Sequence, residues 1–172
     1  MLYEHYFGFA LKIVFRYIYR YDKAKDLVND GFVKLFTTID RFRIPDSNIE
    51  CEKMLPAYLK RIMINTAIDD LRREKMSPEI GGIPDYIWDE NNCSQASDSR
   101  LLYKELILII KNLPPQYRSV FNLYIIDGYN HLEIADMLQI PVGTSKSALS
   151  RAKALLQKNI KQLEDAIYAR CR

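Results

Sequence analysis

The densest grouping of basic side chains lies between Ser145 and Gln162, where Lys146, Arg151, Lys153, Lys158 and Lys161 occur with no acidic residue. On a helix whose buried side is Ala148, Leu149, Ala152, Leu155 and Leu156, the opposite side displays Lys146, Ser147, Ser150, Arg151 and Lys153. A polar, basic helical face of this kind can enter the major groove of duplex DNA, with its first residues nearest the base edges. Taken alone, such a face is better explained as the solvated surface of an ordinary amphipathic hairpin. The residues before it decide between the two. Asn130 can cap a short helix carrying Leu132, Ile134, Ala135 and Leu138. Small Ala135 permits a close helix crossing, Gln139–Gly143 breaks the pattern with Pro141 and Gly143, and Thr144 can cap the next helix. Cap, small residue, turn and basic second helix in that order describe a helix-turn-helix.

A second grouping lies near the N-terminus. Asp26, Asn29, Asp30, Val33 and Thr37 fall on one helical face at three- and four-residue spacing. That face is acidic, carries one apolar residue, and lies opposite the stripe Val28, Phe32, Leu35, Phe36 and Ile39. Standing alone it would be solvated surface. Candidates for catalysis are few. His5 and His131 are the only histidines, no serine, cysteine or carboxylate pair has an evident base partner, and no glycine-rich phosphate loop occurs. Cys51, Cys93 and Cys171 are far apart and lack metal-ligand spacing, which reads as reduced thiols. Neither an enzyme nor a cofactor is expected.

The elements that must position these groups are helical. No sustained period-two alternation occurs, and apolar residues recur at helical spacing. Leu2–Tyr21 reads as a first helix with Phe7, Leu11, Val14 and Ile18 on one side, Ala24–Phe42 as a second, and Leu55 or Pro56 to about Lys75 as a third. Arg43–Lys53 reads as an irregular loop. Ser77–Ser99 holds Pro78, Gly81, Gly82, Pro84 and a polar run, and reads as a flexible joint, although Ile83, Tyr86, Ile87 and Trp88 are apolar enough to lie against a surface. Helical spacing resumes at Arg100. Lys12, Arg16 and Arg20 interrupt the apolar opening stretch, so a membrane span is not expected there. The fold class is all-α, with two small helical domains over 1–76 and 100–172 joined by a linker over 77–99.

Leu113-Pro114, Tyr117-Arg118, Phe121, Leu123, Gly128-Tyr129, Glu133-Ile134-Ala135, Gly143-Thr144-Ser145-Lys146-Ser147 and Ser150-Arg151-Ala152-Lys153 resemble the promoter-reading C-terminal domain, region 4, of extracytoplasmic-function (ECF) sigma factors. The run Ala24–Leu35 resembles the region 2 segment that binds the clamp helices of the polymerase largest subunit. Tyr58-Leu59-Lys60-Arg61-Ile62 through Asn65, Asp69 and Arg72-Arg73 resembles the minus-ten segment. Relatives often carry valine where Ser145 stands and tryptophan where Tyr58 stands, and usually have a further short helix before the position of Met1.

The resemblance implies a set of contacts. Core polymerase would be bound by Asp26, Asp30 and Val33. The minus-ten element would be met by Tyr58, Arg61, Asn65, Asp69, Arg72 and Arg73, and the minus-thirty-five element by Arg118, Lys146, Ser147, Ser150, Arg151 and Lys153. The loop Phe42–Met54, with Arg43, Asp46, Ser47 and Asn48, would capture a flipped base. The implied partners are core RNA polymerase, through the clamp helices of the largest subunit and the flap of the second-largest, promoter DNA, and an anti-sigma factor. The implied location is cytoplasmic, with a membrane-spanning anti-sigma protein able to hold the chain at the inner membrane. A two-domain regulator that binds an operator as a dimer and never joins polymerase explains Tyr129–Leu156 equally well. It leaves the acidic second-helix face and the third-helix pattern without a purpose.

Overall fold

The computed structural model describes the backbone of residues 2–38, 48–74 and 105–170. The chain divides into two compact units, Met1–Pro84 and Asp85–Arg172. The division falls in the stretch 75–104, outside the described residues, as does the expected linker 77–99. Ile39, Arg43, Asp46 and Ser47 of the expected stripe and loop lie outside them too. No strand occurs among the described residues.

The N-terminal unit packs three helices against one another: α1 (Leu2–Phe15), α2 (Tyr21–Thr38) and α3 (Asn48–Arg73). Helix α1 ends at Phe15, short of the expected Tyr21, because the chain turns at Arg16 and Tyr17 to bury Tyr17, Ile18 and Tyr19 as an apolar corner. Helix α2 buries Val28, Phe32 and Leu35 as its spacing predicts, together with Ala24, Leu27 and Gly31. Phe36 departs from the expected stripe. It is 48% exposed and stacks on Phe32 at 6.1 Å. Helix α3 begins at Asn48, well before the predicted start, so part of the expected loop is helical. Pro56 therefore sits in the helix interior, where its missing N–H removes one helical hydrogen bond.

Gly31 sets the distance between α2 and α3. A Cβ there would lie 2.5 Å from the Sδ and 2.7 Å from the Cε of Met63, itself fully buried. At the open end of the same pair, the Lys23 Nζ lies 2.6 Å from Asp70 and 2.6 Å from Glu74. Burial pushes the Lys23 pKa down, but hydrogen bonds to Asp70 and Glu74 and their charges outweigh it and hold the ammonium above its ordinary range. The hydrogen bond from Lys23, and then its charge, hold the Glu74 carboxyl below its ordinary range.

The C-terminal unit contains a helix over 105–111 (α4), α5 (Pro115–Phe121) running into a π-helical turn (Asn122–Ile126), α6 (His131–Leu138) and α7 (Val142–Arg170). Leu113, Ala152 and Leu156 form its central cluster, covered by Ile109, Ile110, Tyr117, Phe121 and Leu155. Helix α7 spans 29 residues, about 43 Å at the usual rise. No helix among the described residues is long and apolar enough to cross a membrane.

Two outcomes test this packing. Gly31→Ala should change stability little, because about 1 kcal/mol of helix propensity offsets the shift asked of Met63. Gly31→Val should cost about 1–3 kcal/mol through overpacking, both read by chemical denaturation. The Lys23 ion pairs should stabilise the fold above the depressed Glu74 pKa and be lost as pH falls through it, and lost again as pH rises through the elevated Lys23 pKa. Lys23→Met should therefore flatten melting temperature against pH at both ends.

Candidate nucleic-acid interface

Asn130 starts α6 with its backbone extended, at φ −81° and ψ 166°. Its Oδ1 accepts from the backbone N–H of Leu132 at 2.9 Å and of Glu133 at 3.0 Å, while the Asn130 N–H donates to Glu133 Oε2 at 2.8 Å. This reciprocal box satisfies donors that a helix start otherwise leaves unmet. The far end of α6 closes on Gln139, which adopts the left-handed conformation at φ 56° and ψ 45°. The Ile140 N–H reaches back to the Ala135 carbonyl at 3.0 Å. Only Gln139, Ile140 and Pro141 separate α6 from α7.

Helix α7 starts at Val142, with the Ser145 N–H donating to the Pro141 carbonyl at 3.1 Å. Thr144 is therefore inside the first turn rather than the cap, and Gly143 is helical. Proline before the helix and β-branched Val142 left the true start less legible than the strong capping residue two places on. Ala148, Leu149, Ala152 and Leu156 are buried as expected, and Ile134, Ala135 and Leu138 face them from α6. Leu132, the fourth apolar residue of α6 named from the sequence, is 71% exposed.

The predicted DNA-facing residues of α7 are brought together. Lys146, Ser147, Ser150, Arg151 and Lys153 are all exposed. The Ser147 Oγ donates to the Thr144 carbonyl at 3.1 Å, and the Arg151 Nη1 donates to the Tyr117 hydroxyl at 3.1 Å, which ties that guanidinium to α5. Arg118 departs from the prediction. It is 4% exposed, and its Nη1 donates at 2.7 Å to the carbonyl of Lys111. A guanidinium spent inside the unit on the end of α4 is not offered to DNA.

Ser145 is the position at which relatives often carry valine. It is fully buried, and its Oγ lies 2.9 Å from the Nδ1 of His131. The His131 ring stacks on Tyr124 at 4.6 Å. Sequence reasoning missed this pairing because nothing in spacing marks a contact across a turn. It also missed the exposed apolar residues Tyr124, Ile125 and Ile126 on the π-helical turn. Three consecutive large apolar residues were a signal, but helical spacing accounts for one inward face and not for a π turn.

In the N-terminal unit Asp26, Asn29, Asp30, Val33 and Thr37 are all exposed on α2, Val33 to 61%. Asn29 accepts from the Tyr3 hydroxyl at 2.9 Å and Thr37 donates to the Val33 carbonyl at 3.0 Å. On α3, Arg61, Asn65, Arg72 and Arg73 are exposed and Asp69 is partly so, with Asp69 and Arg72 paired at 3.2 Å. The Tyr58 hydroxyl donates to Thr38 Oγ1 at 3.0 Å, so α2 orients its ring. The described residues hold no group of three or more His, Cys, Asp or Glu able to bind a metal.

The chain matches the family model for sigma-70 region 2 over residues 2–76 and that for sigma-70 region 4 over residues 103–156. It is 25% identical to the ECF RNA polymerase sigma factor SigW of Bacillus subtilis, over 88% of this chain and 83% of that one. It is 28% identical to the ECF RNA polymerase sigma-E factor of Escherichia coli K12, over 88% and 80%. Among solved structures it resembles the sigma factor RpoE in complex with the anti-sigma factor NepR from Bartonella quintana. The TM-score is 0.57 at 22% identity, over 88% of this chain and 89% of the other, a likeness of fold.

Arg118 and Lys146 of the C-terminal motifs should part company on substitution. Arg118→Ala should cost about 2–3 kcal/mol of stability, the scale of a buried charged hydrogen bond. Lys146→Ala should stay within about 0.5 kcal/mol. Denaturation of both variants checks this, and equal, small effects would return Arg118 to the surface.

Proposed function

The chain belongs to the ECF subfamily of the sigma-70 family, and on that premise we propose that its two units engage a promoter at two places. The C-terminal unit reads the minus-thirty-five element as duplex through Lys146, Ser147, Ser150, Arg151 and Lys153. The N-terminal unit holds core RNA polymerase through Asp26, Asp30 and Val33, and the melted minus-ten strand through Tyr58, Arg61, Asn65, Asp69, Arg72 and Arg73. Phosphate contacts position the protein and a few base contacts specify sequence. Arg118 has no direct part in this; it braces the scaffold under α5.

One observation carries the proposal. The expected rows on α2, α3 and α7 all lie on surfaces that helix packing leaves exposed or half-exposed. An operator-binding regulator would need the row on α7 alone. Acidic Asp26 and Asp30 beside an uncovered Val33 suit a protein surface rather than a polyanion, because carboxylates repel phosphate. On α3, exposed Arg61, Arg72 and Arg73 flank a half-buried tyrosine ring. That combination supports single-strand binding, in which bases stack on aromatic faces while cations follow the backbone. The exposed apolar residues Tyr124, Ile125 and Ile126 support a further protein contact, for which the polymerase flap and an anti-sigma factor are the candidates. The RpoE relative was solved with such a factor. Nothing in the proposed role requires the chain to make or break a covalent bond, and the cytoplasm is where it would be carried out.

Transcription in vitro from a genomic fragment library, with core polymerase and with or without the chain, tests the reading. Initiation at a shared two-part motif only in its presence is expected. DNA binding without any added initiation would favour the operator-binding regulator. Asp26→Lys with Asp30→Lys should weaken core binding about tenfold or more. Lys146→Ala with Arg151→Ala should spare core binding and lower the salt dependence of DNA binding by about 2 in log–log slope.

A further inference from the structure

We propose that Ser145 and His131 form a positioning pair for α7, so that promoter preference depends on a hydroxyl that does not touch DNA. The inference rests on the reading of α7 as the promoter-reading helix. Ser145 is the one fully buried polar side chain among the described residues of α7, and it directly precedes Lys146 and Ser147. Its backbone N–H is spent on the Pro141 carbonyl and its hydroxyl on the His131 Nδ1.

His131 is the first residue of α6, next to the capping Asn130, and its imidazole is stacked on Tyr124 of the π-helical turn. One ring therefore binds the start of α7 to two other elements. The remaining residues buried between α6 and α7 are apolar, among them Ile134, Ala135, Leu138, Ala148 and Leu149. Apolar contacts are non-directional and tolerate a small rotation or slide of one helix on another. A hydrogen bond of 2.9 Å does not, because its strength falls steeply with angle.

The backbone hydrogen bonds of a helix make its turns move as one body, so any rotation permitted at Ser145 is carried to Lys146 and Ser147. Those two lie at the end of α7 that would approach the base edges. Losing the hydroxyl has two effects. It releases that end of the helix, and it leaves a half-buried imidazole nitrogen to find another partner. Pair and stack together act as a stop that fixes the angle at which α7 is presented.

The test compares Ser145→Thr with Ser145→Val in holoenzyme, two side chains of equal shape that differ in the hydroxyl. Discrimination is measured as the ratio of affinities for the selected promoter and for the same promoter with its minus-thirty-five element scrambled. Threonine should hold discrimination near wild type, and valine should lower it roughly 3- to 10-fold, the range one hydrogen bond spans. In a His131→Phe background, which keeps a ring for Tyr124, the difference between threonine and valine should vanish. Core binding and melting temperature are followed in parallel, since a purely structural role would move stability and leave the ratio unchanged. Equal discrimination by the two variants, or a difference that persists without His131, overturns the positioning pair while leaving the sigma-factor reading intact. Failure of wild-type holoenzyme to discriminate at all overturns both.

Discussion

The approach of Met63 to the empty side of Gly31 is the contact on which the N-terminal unit depends. With no Cβ in the way, α2 closes on α3 where Gly31 meets Met63, and Val28, Phe32 and Leu35 of α2 and Leu59, Met63 and Ile64 of α3 are all buried. A helix packed that way has one stripe to bury and must leave the opposite one out. Asp26, Asn29, Asp30 and Val33 are what α2 leaves out, and Arg61, Asn65 and Arg72 are part of what α3 leaves out. The faces proposed to meet polymerase and DNA are thus set by the same contact that forms the core.

The two units achieve this differently. The N-terminal interior is almost wholly apolar among the described residues. Its buried polar side chain, Thr66, accepts from Lys34 at 3.0 Å. The C-terminal unit buries Arg118, Ser119, Asn122 and Ser145. The Ser119 Oγ donates to the Pro115 carbonyl at 2.9 Å, Arg118 fastens α4 to α5, and Ser145 fastens α7 to α6. Polar interiors add little net stability but penalise every arrangement that leaves a group unpaired. A unit that must present one helix at one angle gains more from that penalty than from a greater area of apolar burial.

Much of this was legible in the sequence, and the exceptions share a cause. Val28, Phe32, Leu35, Ala148, Leu149 and Ala152 repeat at helical spacing and are buried. The Asn130 cap and the exposed rows on α2 and α7 also follow from spacing alone. Phe36 and Leu132 are apolar yet exposed, because periodicity says which residues can share a face and not how wide a face the neighbours cover. Arg118 and Ser145 look like surface chemistry and are interior, because their partners, the Lys111 carbonyl and the His131 ring, are brought to them by tertiary structure. The early start of α3 at Asn48 was hidden by Pro56, a residue that usually marks a boundary and here does not.

The turn between α6 and α7 has a consequence for the history of such a module. Its backbone is held at three successive residues: Gln139 is turned left-handed, the Ile140 N–H is held by Ala135, and the Pro141 carbonyl is taken by Ser145. There is no slack in which an inserted or deleted codon could be absorbed. One residue more would have to break a bond in the turn or wind α7 about 100° round its axis, turning the basic row away from the direction it now faces. Point changes can drift through this segment, but its length cannot, and descendants of this chain should differ there in letters and never in count.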